Sequence, residues 1–184
     1  MLTLGIDEVG RGSWAGPMVI GAAILDKPID GLKDSKLLTR AKRQAICKEL
    51  EIHCVDYALG WVWPKEIDAR GLTKATRLGI KRALRKITAD YDEIIIDGSI
   101  NYLKNVSNAR SLIDADNLIP SVSAASVLAK VARDSYMINI ASQYVNYGFD
   151  KHVGYGTKLH LSSLKKYGVS KLHRISYAPI KMYL

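Results

Sequence analysis

The segment Gly5-Ile6-Asp7-Glu8-Val9-Gly10-Arg11-Gly12-Ser13-Trp14-Ala15-Gly16-Pro17 decides how the rest of the chain is read. Leu2, Leu4 and Ile6 alternate with small or polar residues, the period of a short half-buried strand. Two carboxylates follow at once, Asp7 and Glu8. Neighbours on a regular strand point to opposite faces. If both serve one site, Glu8 is therefore expected where the strand is already breaking. Gly10 and Gly12 offer that break, and Arg11 between them is a permanent cation whose planar fork suits phosphate. As chemistry alone, the segment is equally a polar strand end followed by a tight turn.

The chain has 184 residues, 48% of them hydrophobic, which is one domain's length with ample material for a core. It contains no run of about 18 apolar residues and no basic-then-apolar leader, so a soluble cytoplasmic protein without membrane contact is expected. Cys47 and Cys54 are too few for a disulfide framework, lack a metal-ligand pattern and read as reduced thiols. The net charge is +9, from 27 Lys and Arg against 18 Asp and Glu. After Asp150 there is no acidic residue, but Lys151, Lys158, Lys165, Lys166, Lys171, Arg174 and Lys181 occur with Tyr155, Tyr167, Tyr177 and Tyr183 among them. Such a mixture suits a polyanion with bases or sugars to stack on, or equally a solubilising surface.

Outward from the opening segment, Met18 to Leu25 is an apolar run of strand length, and Asp26 to Ser35 is turn-rich. Thr39 is placed to cap a helix to about Glu51, with Ala41, Ala45, Ile46 and Leu50 inward. His53 to Val62 alternates as a third strand, and three strands joined by short connections suggest an antiparallel meander. Trp61 and Trp63 read as packing residues. Leu72 to Thr88 is a helix with Leu72, Ala83, Leu84 and Ile87 inward. Lys74, Arg77, Lys81 and Arg85 form a basic stripe on it, either phosphate-facing or solvated. Ile94 to Asp97 is a buried strand ending in a carboxylate; because it follows a helix, a parallel partner of the first strand is expected. Ser121 or Ser123 is placed to cap the longest helix, which extends to about Val145. A shorter helix runs from about Leu159 to Tyr167. The glycines flanking Tyr155 suggest an exposed loop, and His152, His160 and His173 read as surface or phosphate-side residues.

The opening segment resembles the N-terminal signature of type 2 ribonucleases H, the ribonuclease HII family. Further matches follow along the chain. Asp34-Ser35-Lys36 resembles the family's Asp-Ser-Lys-Lys, with Leu37 at the second lysine. Asp116 to Asp134 resembles its Asp-x-x-x-Pro, Ser-Ala-Ala-Ser and Ala-Lys-Val-x-Arg-Asp pattern. Gly154 to Thr157 resembles Gly-Tyr-x-Thr, and His173 to Lys181 resembles His-Arg-x-Ser-x-x-Pro-x-Lys. Asp114 and Asp116 compete for the family's fourth carboxylate, and Asp116 has the expected spacing of four before Pro120. The resemblance spans Gly5 to Lys181.

The resemblance implies a ribonuclease H-like α/β fold, a mixed central sheet flanked by helices, in one domain. About 1–148 would be the catalytic core and about 149–184 a helical, basic C-terminal extension. It implies an endonuclease that hydrolyses RNA in RNA–DNA hybrids, including 5′ of a single ribonucleotide embedded in duplex DNA, leaving 3′-hydroxyl and 5′-phosphate ends. Removal of misincorporated ribonucleotides and RNA primers is the implied role, and a monomer is expected. Asp7, Glu8, Asp97 and Asp116 would be catalytic and metal-binding. Gly10, Arg11, Gly12, Lys36 and Tyr155 would contact substrate. Asp134 would be secondary, or would simply pair with Lys130 or Arg133. A set of carboxylates without His or Cys favours Mg²⁺ or Mn²⁺ over zinc. Two such ions can clamp a phosphodiester, one activating water and one stabilising the leaving oxygen. The contrasting reading is a non-catalytic hybrid- or DNA-binding module of the same fold, which would keep the basic C-terminal part without needing the acidic set.

Overall fold

In the computed structural model, which describes residues 1–32 and 39–184, five strands form one mixed sheet. The strands are β1 (Thr3–Val9), β2 (Met18–Ile24), β3 (Asp56–Val62), β4 (Glu93–Asp97) and β5 (Ala109–Leu112). Their order across the sheet is β3-β2-β1-β4-β5. β1 pairs antiparallel with β2 and β2 with β3, whereas β4 runs parallel to β1 and β5 parallel to β4. The antiparallel meander and the parallel fourth strand are thus both present. The expected helix α1 (Arg40–His53) lies between β2 and β3, so the connection expected to be short is long.

β2 lies between β3 and β1 and every one of its residues is buried, which is why Met18 to Ile24 is apolar without alternation. Met18, Ile20, Ala22 and Ile24 join Leu4, Ile6, Ile94 and Ile96 on one face. Helix α3 (Leu72–Leu84) covers that face with Ala75, Ile80 and Ala83, after the short α2 (Pro64–Arg70). On the opposite face lies α5 (Pro120–Ala141), preceded by α4 (Ala115–Leu118). Ala23 packs there with Ala124, Ala125 and Leu128 of α5 and with Leu50 and Cys47 of α1. The α5 backbone comes so near that a Cβ on Gly21 would lie 2.1 Å from the Ala125 carbonyl oxygen. Behind α5, the chain closes with α6 (Phe149–His152), α7 (Lys158–Tyr167) and α8 (Ala178–Lys181). Cys47 and Cys54 are free thiols, which burial pushes up to about 11 and about 12 respectively. Among the described residues, no helix is long and apolar enough to cross a membrane.

Several local expectations are corrected by packing. Thr39 does cap α1, its hydroxyl accepting from the Lys42 amide. Ala41 and Ala45, however, face solvent, because Cys47 and Leu50 set the buried stripe. α3 stops at Leu84, four residues short of Thr88, where Asp56 draws the Thr88 and Ala89 amides toward β3. α5 ends at Ala141 rather than Val145, and neither Ser121 nor Ser123 caps it. Ser121 instead accepts from the Leu25 amide, and Ser123 donates to the Asp116 carbonyl. Trp61 and Trp63 do pack: they stack at 5.8 Å, each with an edge contact to Tyr136.

Candidate active site

The parallel register sets Ile6 beside Ile96, so the next residue of each strand is a carboxylate, Asp7 and Asp97. Alternation along β1 turns Asp7 toward α5 and Glu8 toward α3. Contrary to expectation, β1 does not break at Glu8, which is still paired with Ile20. Asp7 and Glu8 nevertheless border one cavity of about 410 Å³, because it lies over the strand end rather than against one face. Asp97, Arg11, Ser126, Lys130, Arg43 and Tyr155 also line it.

Each carboxylate is individually held. Asp7 Oδ1 accepts from the Glu8 amide at 2.7 Å, and Asp97 Oδ1 accepts from the Ala115 amide at 2.8 Å. Burial pushes the Asp7 carboxyl up to about 7; the Ser126 hydroxyl opposes this, while Asp97 and Glu8 add like charge. Burial also raises Glu8, offset by the Arg11 guanidinium 3.2 Å away. Asp116 is buried at 4% exposure, one residue past the amide that holds Asp97, but it does not border the cavity. Asp114 is exposed, with φ of 56°. Asp134 pairs with Lys130 at 3.0 Å and lies 3.8 Å from Arg133 Nη1.

The donors around the cavity are carboxylate and hydroxyl oxygens, with no His or Cys among the described residues that line it. Among those residues, no three Asp, Glu, His or Cys side chains stand close enough to cage an ion unaided. This arrangement fits Mg²⁺ or Mn²⁺ better than zinc, since Mg²⁺ commonly takes one or two carboxylates and completes its shell with waters and substrate phosphate.

After Val9 the chain turns at Gly10, whose φ is 83° and where a Cβ would lie 2.1 Å from Arg133 Nε. Arg11 then reaches back, Nη1 donating to the Tyr102 hydroxyl at 2.8 Å as well as to Glu8. Its carbonyl accepts from Arg174 and Tyr177. Arg174 also grips the Gly16 carbonyl through Nε and Nη2, and Arg133 binds the carbonyls of Pro17 and Ala15. Both arginines are wholly buried. Arg174 is therefore no part of a basic surface, although the lysines after Asp150 and the stripe of Lys74, Arg77 and Lys81 on α3 with Arg85 just beyond it are exposed. Gly12 follows with open space around it. Lys36 lies outside the described residues.

Tyr155 is half-buried at the cavity wall, with Lys130 Nζ 5.4 Å and Arg133 Cζ 5.3 Å from its ring centre. Its glycine neighbours do not mark a free loop. Gly154 is buried, and a Cβ there or on Gly156 would strike the Ala15 carbonyl or the Trp14 ring. The three histidines are likewise not surface residues: His152, His160 and His173 are 8%, 0% and 2% exposed.

Tyr102, Arg43, Ser126 and the buried roles of Arg133 and Arg174 were not expected from the sequence. The last three stand inside motifs that the resemblance had already marked, so their signal was present but their partners were not visible.

A family model described as ribonuclease HII matches residues 4–180. The chain is 42% identical over 187 aligned positions to a ribonuclease HII of Francisella tularensis subsp. holarctica, covering 100% of this chain and 99% of that one. It is similar to the crystal structure of ribonuclease H2 from Pyrococcus horikoshii OT3, with 28% identity, a TM-score of 0.85, and 100% and 97% of the two chains covered. It shares its fold with Bst ribonuclease HIII solved in complex with Mn²⁺, at 21% identity and a TM-score of 0.74, covering 98% of this chain and 68% of that one. With a family match over nearly its whole length and that level of full-length identity, the chain belongs to the ribonuclease HII family, endonucleases that cut RNA within RNA–DNA hybrids.

Proposed function

We propose that the cavity over the ends of β1 and β4 hydrolyses the RNA strand of a hybrid, including the phosphodiester 5′ of a single ribonucleotide embedded in duplex DNA. The observation that carries this reading is the side-by-side placement of Asp7 and Asp97 with Glu8 at one oxygen-lined cavity. Asp7, Glu8, Asp97 and Asp116 would hold Mg²⁺ or Mn²⁺. Asp116 is preferred to Asp114 by its spacing from Pro120 and by its burial beside the amide that binds Asp97. Bound there, two divalent ions supply Lewis-acid charge and lower the pKa of the attacking water.

The remaining steps belong to the chain. The carboxylates set the in-line geometry in which water adds to phosphorus and the bond to the 3′ oxygen breaks. This leaves a 3′-hydroxyl and a 5′-phosphate. The turn from Gly10 to Gly12 brings main chain against the ribose, where the 2′-hydroxyl separates RNA from DNA. Arg11, braced by Tyr102 and Glu8, offers a fixed cation to the backbone. Lys36 would add a phosphate contact. Tyr155 stacks beside the nucleotide that follows the ribonucleotide, and the exposed lysines after Asp150 track the duplex. One chain carries all four carboxylates, so a monomer suffices.

The test is cleavage of a duplex with one embedded ribonucleotide, an all-DNA duplex and an RNA–RNA duplex, each with Mg²⁺, Mn²⁺ or chelator. Metal-dependent cutting of the first alone supports the reading. Tight binding of the first without cutting under any metal supports the non-catalytic module instead.

A further inference from the structure

His152, His160 and His173 come from α6, α7 and the loop before α8, yet their rings meet in one buried group. His152 and His160 stack at 4.5 Å, His160 and His173 lie 5.1 Å apart, and Phe149 packs edge-on to the first two. The hydrogen bonds leave each ring one arrangement of protons. His173 Nδ1 accepts from the Ser170 amide at 2.9 Å, and an amide only donates. The His173 proton is then on Nε2, which donates to His160 Nε2 at 2.9 Å. His160 accepts there, so its own proton sits on Nδ1 and is given to the Tyr155 carbonyl at 2.9 Å. His152 obeys the same logic: Nδ1 accepts from the Gly154 amide and Nε2 donates to the Tyr147 carbonyl. All three rings are neutral and satisfied.

The endpoint of this chain is the loop that borders the cavity. The Tyr155 amide donates to the His152 carbonyl at 2.9 Å, so Tyr155 is held at both main-chain atoms. The Gly154 carbonyl accepts from the Trp14 and Ala15 amides, tying the same loop to the segment that carries Arg11. We propose that His160, oriented by His173, is a positioning residue that fixes Tyr155 against the substrate junction. The inference rests on the reading of Tyr155 as a substrate contact.

The test combines kinetics on a duplex with one embedded ribonucleotide with the proton positions in the unsubstituted protein. His160→Phe keeps the ring volume and removes both hydrogen bonds. Its kcat/KM should fall about ten- to a hundredfold, carried mainly by KM, as for a contact displaced by a fraction of an ångström to an ångström. His160→Asn, whose amide reaches the Tyr155 carbonyl, should recover part of that loss. If His160 acts through Tyr155, combining His160→Phe with Tyr155→Ala costs no more than Tyr155→Ala alone. Long-range proton–nitrogen correlation should find the His160 proton on Nδ1 and the His173 proton on Nε2. Additive losses, unchanged kinetics of His160→Phe, or a His160 proton on Nε2 would each overturn the proposal. Should His160→Phe fail to fold, the Asn variant and the proton positions still decide it. Unchanged kinetics of Tyr155→Ala would remove the substrate reading and the inference with it. A defect in Tyr155→Ala without one in His160→Phe would remove the inference alone.

Discussion

Asp7 and Asp97 stand side by side because Ile6 and Ile96 are partners in a parallel ladder, 90 residues apart in the chain. Burial makes the Asp7 charge costly and the neighbouring Asp97 carboxylate adds to that cost, as the raised Asp7 pKa records. Asp97→Asn removes one charge and one ligand oxygen while keeping the side chain's size. It should abolish cleavage and leave hybrid binding within about twofold, since phosphate contacts supply most of the affinity. Normal turnover of this variant at saturating Mg²⁺ would refute the assignment of Asp97.

Asp116 and Asp114 differ in burial, and that difference should appear in activity. Asp116→Asn is expected to cost far more cleavage than Asp114→Asn, which changes an exposed side chain. Parallel assays of the two variants, with melting curves to confirm folding, give the order. A reversed order would move the fourth ligand to Asp114.

Removing the divalent ion should change how stability depends on pH, with the sign set by Asp7. Its folded pKa of about 7 lies above the ordinary 3.8, so the native state holds a proton that the unfolded chain releases. Stability of the metal-free protein from this group is greatest at low pH, falls as pH rises from 3.8 to about 7, and levels off above. His160 and His173 act in the opposite sense. Burial lowers both from 6.5 to about 4, so their contribution falls as pH drops from 6.5 toward about 4. Asp7→Asn should therefore melt higher than the unsubstituted protein in chelator above pH 7, and Mn²⁺ should stabilise only the latter appreciably. Thermal scans across pH, with and without Mn²⁺, check both statements; a lower melting point for Asp7→Asn in chelator would contradict the first.

The exposed lysines of α7 should govern the salt dependence of binding. Each phosphate contact adds about −0.9 to the slope of log affinity against log salt on duplex DNA. Replacing Lys165 and Lys166 by Ala should flatten that slope by up to about 1.8 if both face phosphate. Titrations at several salt concentrations measure it, and an unchanged slope would return both lysines to a solvating role. Arg174 should behave differently. Its guanidinium is buried against the carbonyls of Arg11 and Gly16, so Arg174→Ala should lower stability by at least about 3 kcal/mol, given about 1.5–3 for each hydrogen bond to a charged group.

Features that depend on neighbours along the chain were legible in the residue pattern alone. The alternation before Asp7, the continuous apolar run of β2 and the Ile94–Ile96 strand with its terminal carboxylate could all be read locally. So could the Thr39 cap, because a cap hydroxyl and the amide it serves are three residues apart. The Gly10-Arg11-Gly12 turn after two carboxylates was legible in the same way. Which polar side chains are buried depends on contacts between distant segments and emerges only in the folded chain. Arg133 finds the Pro17 carbonyl from 116 positions away and Arg174 finds Gly16 from 158, so neither burial nor partner can be seen in the local pattern. In sequence Arg174 reads as part of a basic surface and Arg133 as a candidate partner of Asp134. The histidines were misread for the same reason: buried imidazoles require acceptors and donors on several elements, and spacing along one segment says nothing of them. Glu8 was misread because strand alternation treats a site as lying on one face, whereas this cavity spans the strand's end, where side chains of both faces converge.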